Sequence, residues 1–122
     1  MSWQFRQSTG EVIAPDGEVL GSGYSGHGPG VDNPADQAIP NVGPIPVGQW
    51  IIGPLEDGGH LGPDVLPLFA APGTETFGRT GFFIHGDNAQ MNHTGSEGCL
   101  VLPRAWRILI GQSTDRTLVV LA

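Results

Sequence analysis

The chain has 122 residues, a net charge of −7 and five basic residues, all of them arginine. That length fits one domain with a modest core rather than two functional domains, and five scattered arginines cannot build the basic patch that a nucleic-acid or anionic-membrane partner requires. No apolar run approaches the length that spans a bilayer, and Met1-Ser2-Trp3-Gln4-Phe5-Arg6 lacks the basic-then-apolar order of a signal peptide, so the expectation is a soluble chain made in the cytoplasm without membrane insertion.

Twenty glycines and eleven prolines raise the question of disorder, but three Trp, five Phe and many Val, Ile and Leu lie between them. Short strands joined by turns fit that composition, and the expected fold is a mostly β single domain over residues 1–122. Trp3-Gln4-Phe5-Arg6-Gln7 alternates apolar and polar, Ser8-Thr9-Gly10 turns, Glu11-Val12-Ile13-Ala14 follows, and Pro15-Asp16-Gly17 turns again. This predicts a β-meander continuing through residues 18–24. The glycine-rich Ser25-Gly26-His27-Gly28-Pro29-Gly30 reads as a loop near a ligand, with His27 as a surface or substrate-contact residue. Asn33-Pro34 places a capping residue before a proline at the first helical position, which predicts a single helical turn.

Gly43-Pro44-Ile45-Pro46 is a rigid turn into a strand that includes Trp50-Ile51-Ile52, and residues 65–70 form another short strand. Gly78-Arg79-Thr80-Gly81 turns into Phe82-Phe83-Ile84-His85, a polar loop runs to Gly95, and Cys99-Leu100-Val101-Leu102 is the matching strand. Pro103 opens the one convincing helix, over residues 104–110, which Gly111 is expected to stop; residues 117–121 close the chain as a buried strand.

Cys99 is the only cysteine, so it cannot form an internal disulfide, and an imidazole is the partner that turns such a thiol into a nucleophile. If the strands at 82–85 and 99–102 pair as an antiparallel hairpin with their large apolar residues on one face, Ile84 lies opposite Leu100 and Phe82 opposite Leu102. His85 then faces Cys99 on the other side, where paired Cβ atoms are about 5 Å apart. A thiolate stabilised by an imidazolium, which later donates a proton to a leaving amine, needs this arrangement. Gly98 leaves the backbone open, so that nearby N–H groups can face an oxyanion. Asp87, Asn88 or a main-chain carbonyl is the candidate to orient the far nitrogen of His85. Glu97, a carboxylate beside the thiol, opposes thiolate formation unless it points away.

Other readings of the same residues stand beside this one. A cysteine between Gly and Leu also fits a small buried apolar residue, and His85 a satisfied histidine at a strand end. Zinc has His60, His85, His93 and Cys99 as candidate ligands, but no HxxxH or CxxC pair, so no metal or cofactor is expected. Arg79 is either a solvated charge or a group that binds a substrate carboxylate. Tyr24 and Trp50 read as core or rim residues, and Asp87 and Asn88 also fit simple turn formers.

His85-Gly86, the loop, and Ser96-Glu97-Gly98-Cys99-Leu100 resemble the signature of the L,D-transpeptidase (YkuD-like) enzymes of bacterial cell-wall metabolism, and Gly43 to Trp50 resembles their Thr-Pro-x-Gly-x-Tyr segment. Two positions depart from it: the second histidine of the signature is Glu97, and the arginine usually found two residues after the nucleophile is Val101. His85-Gly86-Asp87-Asn88, Ser96-Glu97-Gly98-Cys99, Tyr24 to Gly28, Asn33-Pro34, Val42 to Pro46 and Gly78 to Phe82 are more similar to the small L,D-transpeptidase-like toxins of type VI secretion.

That resemblance implies a β-sandwich of short strands with one helix in the C-terminal half and a short helical turn. It implies attack by Cys99, with His85 as base, on the L,D bond before the terminal D-alanine of a peptidoglycan tetrapeptide stem, by carboxypeptidase or transpeptidase chemistry. The expected substrate-binding set is Tyr24, Arg79, Gly86, Asp87, Asn88, Ser96, Glu97 and Gly98. The expected partners are the stem peptide, an immunity protein and a type VI secretion component, with a monomer acting in the target-cell periplasm. The rival expectation is a catalytically silent module that holds a peptide or partner in the same cleft.

Overall fold

The structure, a computed structural model, describes residues 2–26, 31–39, 42–57, 64–79, 81–86 and 99–122. Among these, the elements in chain order are β1 (Trp3–Arg6), β2 (Glu11–Ile13), β3 (Val19–Ser22), β4 (Tyr24–Ser25), a 3-10 turn (Pro34–Asp36), β5 (Gly48–Ile52), β6 (Leu66–Ala70), β7 (Phe83–His85), β8 (Leu100–Val101), α1 (Arg104–Gln112) and β9 (Thr117–Leu121). The fold is mostly β, with one helix and one short helical turn.

The amino-terminal alternation buries Trp3 and Phe5 of β1 and leaves Gln4 and Arg6 half-covered. β1, β2 and β3 pair antiparallel in succession, as the meander predicts, but the pairing partner changes at Gly23. Beyond it β4 pairs with β8, at the other end of a sheet ordered β3-β2-β1-β9-β5-β6-β7-β8-β4. The two edge strands are therefore joined by one residue, and the sheet nearly closes on itself. A β-carbon at Gly23 would lie 2.3 Å from the Val101 carbonyl oxygen, so the closure depends on a residue without one. Both ends of the strand order feed one core, in which Phe5 and Val12 join Trp50, Leu66, Ile84, Leu100 and Leu118. The helical turn at Pro34 forms as expected, with the Asn33 side chain accepting from the Ala35 N–H at 3.1 Å.

β7 and β8 pair parallel, which corrects the antiparallel hairpin expected from the sequence. Ile84 is opposite Leu100 as expected, but His85 is aligned with Val101 rather than Cys99, and Leu102 N–H donates to the His85 carbonyl at 3.0 Å. The physical reason is that a period of two is unchanged when a strand is reversed about one paired position, so burial of Ile84 and Leu100 fixes the face and not the direction. The fourteen-residue connection between the two strands, residues 86–99, is as long as a parallel crossover requires.

The helix runs one residue past its expected stop at Gly111, to Gln112. Gly111 serves packing there, since a β-carbon on it would stand 3.2 Å from Cβ of Leu55. Arg116 closes the helix end, with Nη1 donating to the carbonyls of Ile110 at 3.1 Å and Ser113 at 3.2 Å. No helix among the described residues is long and apolar enough to cross a membrane.

Candidate active site

Alternation along parallel strands puts Ile84 and Leu100 on the core face and turns His85, Val101 and Cys99 to the other. Cys99, half-buried, immediately precedes β8, and His85 ends β7 at 2% exposure. Cys99 stands two residues before Val101, the register partner of His85, so the two are on one side of the sheet without being a directly opposed pair. The Cys99 thiol Sγ lies 3.5 Å from the Gly81 carbonyl.

The His85 Nδ1 is 2.6 Å from the carbonyl oxygen of Gly86. A carbonyl only accepts, so Nδ1 carries a hydrogen and Nε2 is the basic nitrogen. Of the three orienting groups offered by the sequence, a main-chain carbonyl takes that position. Asp87, Asn88, Ser96, Glu97 and Gly98, together with His27, His60 and His93, lie outside the described residues.

Arg79 is 7% exposed and is held by carbonyls. Its Nη1 donates to Gln37 and to Pro44 at 2.5 and 2.8 Å, its Nη2 donates to Gly43 at 2.9 Å, and its guanidinium carbon is 5.1 Å from the centre of the Phe82 ring. Burial pushes its pKa below the ordinary arginine value, and the nearby Cys99 charge opposes that by raising it. Tyr24 is 4% exposed and is paired with Val101, which is in turn paired with His85, so these three form one row across β4, β8 and β7. Val101, at the position where the resembled signature has arginine, is itself buried in that row.

Residues 21–116 match the family model of the Tlde1 domain. The chain belongs to the Tlde1 domain family. This family is of the type VI secretion L,D-transpeptidase effector-like kind, and the broader YkuD-like relationship is consistent with it. No curated protein matches the chain. The Tlde1 match spans β4, β7, β8 and α1, so both His85 and Cys99 lie within it.

Within this Tlde1 domain, sequence reasoning missed Arg107 and Ser25. Arg107, 7% exposed, donates through Nη1 to the Asp64 carbonyl at 3.0 Å. Burial lowers its pKa, Asp64 raises it and Arg104 lowers it further. Its guanidinium lies against Gly86, the residue whose carbonyl holds His85. A signal was present: Arg107 stands three residues before the buried Ile110, on the same helical stripe. Ser25 is fully buried on the core face beside Leu100, and its hydroxyl donates to the Cys99 carbonyl at 2.9 Å.

Proposed function

We propose that this Tlde1 domain is an antibacterial cysteine enzyme that cleaves the L,D bond before the terminal D-alanine of peptidoglycan tetrapeptide stems. The observation that carries the reading is the placement of Cys99, immediately before β8, on the face that holds His85 of the parallel strand β7, with His85 Nδ1 held by Gly86 so that Nε2 is the basic nitrogen. The Cys99 thiolate attacks the carbonyl carbon of the third stem residue, the carbon–nitrogen bond to D-alanine breaks, and the His85 imidazolium gives its Nε2 proton to the departing amine. A thioester remains on Cys99. His85, now neutral, takes a proton from water, which attacks the thioester carbonyl and releases the tripeptide stem and the thiolate. A free D-amino acid in place of water gives exchange, and the amine of a second stem gives a cross-link.

Arg79 supports the thiolate by its charge. Tyr24, Gly86, Asp87, Asn88, Ser96, Glu97 and Gly98 complete the proposed substrate-binding set, and no metal or cofactor enters the reaction. The same reading includes action in the periplasm of a target cell, delivery by a type VI secretion component, and an immunity protein as the cognate partner. Mass spectrometry of tetrapeptide muropeptides treated with the protein, with and without added D-amino acid, tests it. Loss of D-alanine, or its replacement by the added amino acid, is expected. Unchanged muropeptides under both conditions would rule out the reaction.

A further inference from the structure

Arg79 and Cys99 are joined by a directed chain of hydrogen bonds. Arg79 Nη1 donates to the Pro44 carbonyl at 2.8 Å. The other end of that same peptide unit, the Ile45 N–H, donates to Ser25 Oγ at 2.8 Å, and Ser25 Oγ donates to the Cys99 carbonyl at 2.9 Å. Every donor points the same way, from the cation toward the cysteine, and successive bonds of one direction polarise and strengthen each other. The components have little freedom. Ser25 and Ile45 are fully buried, and Ser25 is fixed by pairing to Leu100 and by its N–H donating to Asp32 Oδ1 at 3.1 Å. Gly43 passes so close to the Asp36 carbonyl that a β-carbon would stand 1.8 Å from it. The carbonyls of Gln37, Gly43 and Pro44 are thereby gathered around the guanidinium.

We propose that Ser25 and Arg79 are positioning residues for the Cys99 nucleophile, acting through the Pro44–Ile45 peptide. The inference rests on the reading of Cys99 as nucleophile and adds how that nucleophile is held. The Cys99 carbonyl belongs to the peptide entering β8, so the Ser25 hydroxyl fixes the backbone from which the thiol projects. Arg79 holds the other end of the chain and sets its charge at a fixed position relative to that thiol. This assigns the buried arginine to orientation and thiolate stabilisation, where the sequence suggested a clamp for a substrate carboxylate. Displacing a reacting group by about 1 Å can lower a rate by as much as about a hundredfold.

Cys99 is the only thiol of the chain, so its alkylation by iodoacetamide, followed by intact mass across a pH series, reads its ionisation without any substrate. Relative to wild type, S25A and R79Q are expected to move the alkylation profile to higher pH. S25T, which keeps the hydroxyl, and R79K, which keeps the charge, are expected to restore it toward the wild-type position. On muropeptides, S25A is expected to lower kcat about tenfold to a hundredfold with KM little changed. Wild-type profiles in folded S25A and R79Q would overturn the proposal. If S25A does not fold, the contrast between R79Q and R79K decides it, and coincident wild-type profiles for those two would overturn it. Inactivity of the wild-type protein on muropeptides would instead strike the proposed reaction and leave the alkylation test standing.

Discussion

The guanidinium of Arg107 lies against the α-carbon of Gly86: a β-carbon added to Gly86 would stand 3.0 Å from Nη2 and 3.3 Å from Cζ. Arg107 has little room to retreat, because it is buried and bound to the Asp64 carbonyl. The contact makes glycine the fitting residue after His85. Gly86→Ala is expected to destabilise the fold by about 1–3 kcal/mol through overpacking. Because the Gly86 carbonyl also orients His85, the same change is expected to lower turnover. Urea unfolding of the single and double variants checks this: Gly86→Ala and Arg107→Ala in contact should be non-additive, with coupling of about 0.5 kcal/mol or more.

Two arginines near the ends of α1 are expected to differ in weight. Arg104 pairs with Asp64 at 2.6 Å from a side chain that is 68% exposed, so Arg104→Ala is expected to cost no more than about 1 kcal/mol. Arg116 gathers the carbonyls of Ile52, Gly53, Ile110 and Ser113, and Arg116→Ala leaves them without that donor. A loss of about 1–3 kcal/mol is expected for it. Thermal or denaturant unfolding that ranked the two in the opposite order would contradict the packing described for the helix end.

Closure of the sheet at Gly23 makes a third expectation. A β-carbon there would meet the Val101 carbonyl oxygen at 2.3 Å and Leu102 Cδ2 at 2.4 Å, and the first of these is backbone that cannot swing away. Gly23→Ala is expected to destabilise by at least about 1–3 kcal/mol and to disturb β8, next to Cys99. Amide hydrogen exchange should show the loss of protection concentrated at β4 and β8.

Much of the fold was legible because its signals are local. Alternation in Trp3-Gln4-Phe5-Arg6, the Asn33-Pro34 cap, and Pro103 before an apolar helix each specify structure within a few residues. The partnership of Ile84 with Leu100 was legible too, since both must face the core. Its direction was not, because reversing β8 about Leu100 exchanges Cys99 with Val101 and leaves the apolar pattern intact. The fate of Arg79 was beyond the sequence for another reason. Its carbonyl partners are those of Gln37, Gly43 and Pro44, about forty residues away, and tertiary folding, not any local motif, delivers them. Ser25 was hidden in the same way, since its hydroxyl connects Ile45 to Cys99 across large separations.

The central claim is that Cys99 and His85 act together on the L,D bond of the stem. The most direct measurement is release of D-alanine from purified tetrapeptide muropeptides by the wild-type protein, Cys99→Ala and His85→Ala, each shown to be folded. Release by the wild type and a fall to background in both variants is the predicted result. Undiminished release by either variant would contradict the account.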